Sequence, residues 1–473
     1  MSKEYARKWL DENETRLAEI SDKIWECAEL GLQESKSSAL LAGELEKNGF
    51  KVERGVACMP TAFVATYGEG RPIIGIMGEY DALSGLSQRP SPKRESVVEG
   101  APGHGCGHNI HGTSGMGAAI AVSKALETKG VKGAVKFFGC PAEETLVGKV
   151  FMIRDGVFDG VEAVFSHHPG SMNAARLGSS NAMNSVKFEF FGTASHAGGS
   201  PHRGRSALDA VELMDIGVNF MREHIVQEAR VHYIIEDGGG APNVVPAYAR
   251  SWYFVRAPER SQVDYIYNWI LKIAEGAAMM SKTTHRYKLL TGCYNRLPLK
   301  GMSDLVVKNM RETGAPTYTD EELRFAKAVQ ESVPPENILE SLKASKREDW
   351  QSLRGVVMDR SIPDPWGRGE VSGGSSDVAD VSWQAPTIEF GTSTWPLGIP
   401  GHSWQIVAMG KSGVAHKSLV FAAKTIASCV LDTVTKPSLL KALKKEWAEA
   451  KQGVKYISPL PPDLKPPLDQ FPV

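Results

Sequence analysis

Three short apolar runs in the first third of the chain each stop at a cluster of acidic, thiol or imidazole side chains, and this arrangement constrains the fold most. RPIIGIMGEYDAL reads as a buried strand, Pro72 to Met77, that runs out into an acidic loop. AVKFFGCPAEE repeats the plan with Ala134 to Phe138, and EAVFSHHPG ends in histidines. Between the first two, Ile110 to Glu127 is rich in small and apolar residues, which suits a helix pressed on a sheet. Strand, loop, helix, strand predicts an α/β sheet, and in such sheets ligands gather beyond the carboxyl ends of the strands.

The pattern changes near Asn184. SVKFEFFG, GRSALDAVELMDIGVNFMREH, RVHYIIEDG, ARSWYFVRAP, SQVDYIYNWILKIAEGAAMM and THRYKLLTG read as a βαββαβ series, an inserted ferredoxin-like α+β module. Leu299 to about Asp349 is charged and helical, VSGGSSDVADVSW begins the return to the first domain, and Ala415 to Leu431 reads as that domain's final helix. The expected division is a first catalytic segment at 1–182, the inserted module at 183–295, a second catalytic segment at 296–437, and a C-terminal helix with a proline-rich tail at 438–473. With six prolines in its last fifteen residues, the tail is expected to be extended or disordered, and free to lie along a partner subunit. The polar stretch Ser84 to Gly103 is expected to be a functional or mobile loop.

A chain of 473 residues exceeds what one core usually supports, in keeping with that division. Lys plus Arg (54) nearly balances Asp plus Glu (55), so no basic face points to nucleic acid or an anionic membrane, and a small-molecule or peptide ligand fits better. No segment reads as a signal peptide or as approaching the length needed to cross a bilayer, and six scattered cysteines suit reduced thiols. A cytoplasmic protein is expected.

GHGCGHNIHGT, Gly103 to Thr113, holds one cysteine, three histidines and four glycines. It lacks the lysine of a Walker loop and the glycine spacing of a dinucleotide turn. Cys106 and His108 stand at ligand spacing, but two donors do not make a metal site. The remaining strand ends supply Asp81, the pair Glu143 and Glu144, and the pair His167 and His168, and GIPGHSW later adds His402. Each has a plain alternative: paired glutamates on a solvated face, histidines in a loop, a hydrogen-bonded surface imidazole. Their coincidence at successive strand ends favours a joint site able to hold two hydrated metal ions. His104 is read as a solvated loop histidine and Cys140 as a packed thiol.

The order GEYDAL, GCGHN, PAEE, HHP, then GTASHAGGSPHRGRSALDA and APNVVPAYARSWYFVRAP, then GGSSDVADVSW and PGHSW resembles the M20 family of dinuclear metallo-amidohydrolases over about residues 5 to 435. The resemblance implies a zinc-exopeptidase-like α/β fold, its central mixed sheet flanked by helices, with the inserted module serving as lid and dimerisation domain. It implies Cys106 as a thiolate bridging two metals, and His108, Glu144, His168 and His402 as the other ligands, His168 being preferred to His167 because it directly precedes the proline. Glu143 then matches the catalytic base, and Asp81 a carboxylate that orients a ligand. His111 is read as supporting or structural.

In the lid, the resemblance implies that His196 reaches a facing active site across a dimer to stabilise the oxyanion, and that Asn243 and Arg256 hold the substrate's carboxylate. Gly238 to Gly240 and Gly373 to Asp377 are expected to border the pocket. Thiolate and imidazole donors favour zinc or another late first-row ion over magnesium or calcium, and family members are associated with zinc or manganese, with cobalt and nickel also open.

The implied reaction is hydrolysis of the amide of an N-acyl amino acid with a free carboxylate, such as p-aminobenzoyl-glutamate. Indole-acetyl amino acids and β-alanyl dipeptides are the alternatives. Two readings from other classes are a subunit that supports a paralogous partner in a two-subunit enzyme, and a cysteine hydrolase acting through Cys106.

Overall fold

The computed structural model describes residues 2–468. Its strands in chain order are β1 (Lys51–Arg54), β2 (Phe63–Glu69), β3 (Ile73–Glu79), β4 (Gly133–Cys140), β5 (Ala163–Gly170), β6 (Ser179–Ser180), β7 (Ala182–Phe191), β8 (Arg230–Asp237), β9 (Tyr248–Ala257), β10 (Thr284–Cys293), β11 (Val371–Ser372) and β12 (Thr387–Ser393). A mixed sheet in the order β1-β2-β4-β3-β5-β12 forms the centre. Within it β4, β3, β5 and β12 are parallel, so their carboxyl ends face the same way, and β1 and β2 run antiparallel at one edge. Helices cover both faces of the parallel part, which explains why β3 and β4 are buried along almost their whole length and read as near-continuous apolar runs.

The helix His108–Lys129 joins β3 to β4. It packs against the N-terminal helix Ser2–Glu12, whose Ala6 and Leu10 are buried, and against the helix Gly413–Thr435. That last helix corrects one sequence reading, since it is 23 residues long and its most apolar stretch has a mean hydropathy of 1.4, long and apolar enough to cross a membrane. It lies in the main core, with 89% of its apolar window buried. A long, mostly apolar helix is also what the middle of a large core requires, and its few charged residues, Lys417 and Lys424 among them, pair with Glu322 and Asp11.

The chain from β7 to β10 forms a second, wholly antiparallel sheet in the order β10-β7-β9-β8. Residues of β9 alternate strictly between buried and half-buried, because the helices Ala207–Met221 and Arg260–Ser281 cover one face only. Ser206 Oγ caps the first of these helices by accepting from the Asp209 N–H at 3.1 Å, and Glu259 with Gln262 forms a capping box on the second. This is the ferredoxin-like βαββαβ order.

The stretch after β10 folds as the helices Lys300–Thr313, Asp320–Gln330 and Pro335–Ala344. A two-stranded parallel pairing of β6 with β11 has too few residues to be visible as a pattern. Ser84 to Gly103 is organised by the buried side chain of Gln88, whose amide donates to the carbonyls of Arg89 and Lys93 and accepts from the Glu95 N–H. The tail is extended, but its described part lies on its own chain: Leu460 is buried, and Arg154 Nη1 donates to the Pro461 carbonyl at 3.2 Å. The last part of the tail reading, 469–473, lies outside the described residues.

Candidate active site

The strand ends meet at the start of the helix His108–Lys129. Gly107 has φ +76°, a left-handed conformation that a side chain would strain, and it turns the chain so that Cys106 stands just ahead of that helix. Cys106 Sγ lies 3.3 Å from His168 Nε2. Ligand atoms of Cys106, His108 and His168 lie within 4.8 Å of one another, and so do those of Cys106, Glu144 and His402. Two donor triads therefore share one sulfur.

The imidazoles are held in the orientation that metal binding needs. His108 Nδ1 donates to Asp81 Oδ1 at 2.8 Å, and His168 Nδ1 donates to the Pro169 carbonyl at 2.9 Å, so in each ring Nε2 is the nitrogen turned to the cluster, available to a cation once its proton is released. His108 Nε2 and Glu144 Oε1 are buried without a hydrogen-bond partner, which is costly unless a cation takes their lone pairs. Asp81 also accepts from the Glu144 N–H at 2.9 Å through Oδ2, so a single carboxylate orients two of the donors. His402, with φ +52°, sits at the rim with its side chain 58% exposed and Nε2 3.3 Å from Glu144 Oε2.

Electrostatics follow from burial and proximity. Burial alone would raise the Cys106 thiol, but the attraction of His168 and His108 overrides it and holds the thiol well below its usual range. His168 is pushed up to about 10, its burial outweighed by the Cys106 thiolate. Burial, then repulsion from Cys106, pushes the Glu144 carboxyl up to about 9. Glu143 rises to about 8 through burial and repulsion from Glu79, and its carboxylate lies within 4.8 Å of donor atoms of His108 and Glu79. A thiolate among imidazoles, beside carboxylates short of positive charge, is a donor set suited to a soft or borderline divalent ion.

Of the other histidines, His167 points to the opposite side of β5, where Nδ1 meets Ser114 Oγ at 3.1 Å and Nε2 meets Thr392 Oγ1 at 2.6 Å. Adjacent strand residues face opposite ways, so only one of the pair can reach Cys106. His111 is buried; its Nδ1 accepts from the Glu79 N–H at 2.9 Å, which leaves Nε2–H to donate to Ser166 Oγ at 3.2 Å. His104 corrects the expectation of a solvated loop residue. It is buried, its Nε2 donates to the Ile24 carbonyl at 3.0 Å, and burial holds its pKa down at about 4. Cys140 is a buried thiol pushed up by desolvation.

The lid residues His196, Asn243 and Arg256 make contacts of their own. His196 and Asn243 are exposed neighbours, joined by the pairing of His196 with Val244 and by the Ala197 N–H donating to the Asn243 carbonyl at 3.0 Å. Arg256 Nη1 donates to the Gly373 carbonyl at 3.4 Å. Among the described residues, no hydrogen bond links these three side chains to the donor cluster. Gly238 to Gly240 line a lid cavity of about 490 Å³ together with Ala197.

Three buried charged groups behind the cluster, Lys149, Glu79 and Glu34, were not singled out in the sequence, and Asp377, expected to border the pocket, is buried with them. Lys149 Nζ lies 2.6 Å from both Glu79 Oε1 and Asp377 Oδ1, all of them buried, which neutralises Glu79 close to His108 and His111. A lysine inside the apolar run LVGKVFMI was the available signal. Glu34 accepts from the Ala142 N–H at 2.8 Å and from Thr61 Oγ1 at 2.8 Å, and so pins the turn that presents Glu143 and Glu144. No local pattern marks Glu34.

The model of Peptidase family M20/M25/M40 matches residues 75–431. The chain is 40% identical over 470 residues to one of the subunits of the p-aminobenzoyl-glutamate hydrolase of Escherichia coli (strain K12), with 97% of each chain covered. It is 28% identical over 471 residues to the Xaa-Arg dipeptidase of Mus musculus, with 94% of this chain and 92% of that one covered. Among solved structures, the Bacillus subtilis YXEP protein, described as a dinuclear metal binding peptidase, superposes with a TM-score of 0.56 at 18% identity, over 90% of this chain and 99% of that one. That likeness shows a common fold.

Proposed function

The chain belongs to peptidase family M20/M25/M40, and from that premise we propose that it is a dinuclear metal-dependent hydrolase of the amide bond in p-aminobenzoyl-glutamate or a related N-acyl amino acid. The observation that carries this reading is the pair of donor triads sharing Cys106, with the Glu143 carboxyl beside them. Cys106, His108, Glu144, His168 and His402 would hold two divalent ions, zinc or manganese, with cobalt or nickel also compatible with the donors. Such ions, when bound, supply Lewis acidity toward the amide carbonyl and lower the pKa of water.

The chain's own residues do the rest. Glu143, next in sequence to a ligand yet free itself, takes a proton from the attacking water and passes it to the leaving amine nitrogen. Asp81 fixes the ring of His108 and the backbone of Glu144. In the lid, His196 Nδ1 accepts from the Gly198 and Gly199 N–H groups at 3.2 and 3.0 Å, so its proton sits on Nε2 as a donor presented at the surface. Its exposure, with its only side-chain hydrogen bonds among the described residues made within its own loop, supports action on the facing site of a homodimer, where it would stabilise the developing oxyanion. Asn243 and Arg256 bind the substrate's carboxylate, the planar guanidinium through two hydrogen bonds. The proposed setting is the cytoplasm.

A second reading follows from the name of the Escherichia coli relative, which describes one part of a hydrolase of more than one subunit: this chain would support a paralogous partner. One assay separates the two. The pure chain, reconstituted with each metal, is offered N-aroyl, indole-acetyl and β-alanyl substrates while metal content is measured on the same sample. Turnover of p-aminobenzoyl-glutamate with about two metals bound per chain is expected. Activity only after a partner subunit is added would favour the second reading, and loss of activity to an alkylating agent but not to a chelator would favour a cysteine hydrolase.

A further inference from the structure

Two adjoining cavities on the His168 side of the cluster have no role in the account above. The first, about 520 Å³, is lined by His168, Arg176, Arg296 and Glu389 among others. The second, about 390 Å³, shares Arg176, Arg296 and Ala344 with it and extends to Lys346, Glu370 and Gly373. The carbonyl of Gly373 accepts from Arg256, so the two cavities run from a donor of the metal cluster toward the lid arginine.

Their charge is unbalanced. Arg296 Nη2 lies 2.6 Å from Glu389 Oε2, Arg176 Nη2 lies 3.1 Å from Glu370 Oε2, and Lys346 Nζ lies 3.9 Å from Glu370 Oε1. Three cations face two carboxylates, which leaves one positive charge in excess. Arg296 donates only through Nη2 among its described contacts, and its Nε is buried with no acceptor; Arg256 Nε is buried in the same way. Buried N–H donors without acceptors are costly, and a carboxylate is the ligand group whose oxygens match a guanidinium fork. Glu389 sits one strand from β5, paired with Ser166, and holds Arg296 against the wall that carries His168.

We propose that Arg296, assisted by Arg176, forms a subsite for a second carboxylate on the substrate, that of the amino acid's side chain. This rests on the N-acyl amino acid reading and narrows it: Arg256 and Asn243 take the α-carboxylate, and Arg296 selects an acidic side chain over a neutral one. An N-acyl glutamate satisfies both positions. An N-acyl glutamine of the same shape leaves the buried donor facing an amide.

The test compares p-aminobenzoyl-glutamate with p-aminobenzoyl-glutamine on the metal-loaded enzyme. Wild type is expected to favour glutamate by about tenfold or more in kcat/KM, the size of one charge-assisted hydrogen bond. R296Q should remove that preference through a rise in KM for glutamate, with the glutamine substrate changed less than about twofold. Equal losses on both substrates, or an unchanged preference, would overturn the assignment. Because R296Q leaves Glu389 unpaired and could disturb folding, R176Q, at a partly exposed arginine, and R296K, which keeps the charge, are read alongside; each should lower the glutamate preference in part, and neither doing so counts against the subsite. Calorimetric binding of glutarate and butyrate separates this idea from the substrate reading. Glutarate binding tighter than butyrate in wild type but not in R296Q supports the subsite even if p-aminobenzoyl-glutamate is not hydrolysed, whereas equal affinity for the two acids in wild type sinks it.

Discussion

Asp81 shows how little covalent apparatus the site needs. One carboxylate holds a histidine through one oxygen and a backbone N–H through the other, so two side chains that follow different strands are both brought beside Cys106. Glu143 is the group left free to move a proton. Glu143→Gln is expected to lower turnover by about a hundredfold or more while both metals stay bound, checked by steady-state kinetics with elemental analysis of the same preparation. Retained full activity would remove Glu143 from its role. At this scale the sequence was most informative where chemistry is local: Cys106 and His108 are two residues apart, and the glutamates are adjacent. It was silent on Glu34 and Glu79, whose parts depend on which backbone and which cation they meet after folding.

Among the elements, the short helix Val378–Gln384 does more than its seven residues imply. Asp380, buried on it, accepts from the Tyr294 N–H at 3.0 Å and from Tyr456 Oη at 2.9 Å, while the Ser382 carbonyl accepts from Trp447 Nε1 at 2.7 Å. The helix thereby ties together the segment after β10, the C-terminal helix Pro437–Ala450 and the tail. Burial pushes the Asp380 carboxyl up to about 7, above its unfolded value, so the folded state holds a proton that the unfolded chain has released. Its contribution is fully present below about pH 4 and is lost as pH rises through about 7. Wild type should therefore lose on the order of 3 kcal/mol more than Asp380→Asn between those limits, read from urea midpoints at both pH values. Parallel pH profiles for the two proteins would show that Asp380 is ionised throughout. The strands β3, β4 and β5 were legible in advance because they are apolar runs bounded by turns, whereas β6 and β11, two residues each, exist only by pairing with each other.

For the whole molecule, the two lid helices are among the places where large apolar side chains are left uncovered. Phe220 on one lid helix is 73% exposed, and Met279 and Met280 on the other are 75% and 66% exposed. Large apolar side chains gathered on one module mark an interaction surface, and a homodimer through the lid is the proposed use. Phe220→Asp should yield a folded monomer by ultracentrifugation, with turnover falling because His196 no longer reaches a facing site. A monomer with undiminished activity would end the proposal that His196 acts on a partner. The order of motifs along the chain was enough to predict the α/β sheet with its inserted module, because hydrophobic period and turn residues are local properties that report which face of an element is covered. Tertiary structure alone decided which lysine and which carboxylates are buried together, and that Arg296 stands beside the cluster, since these depend on side chains from distant segments sharing one low-dielectric space.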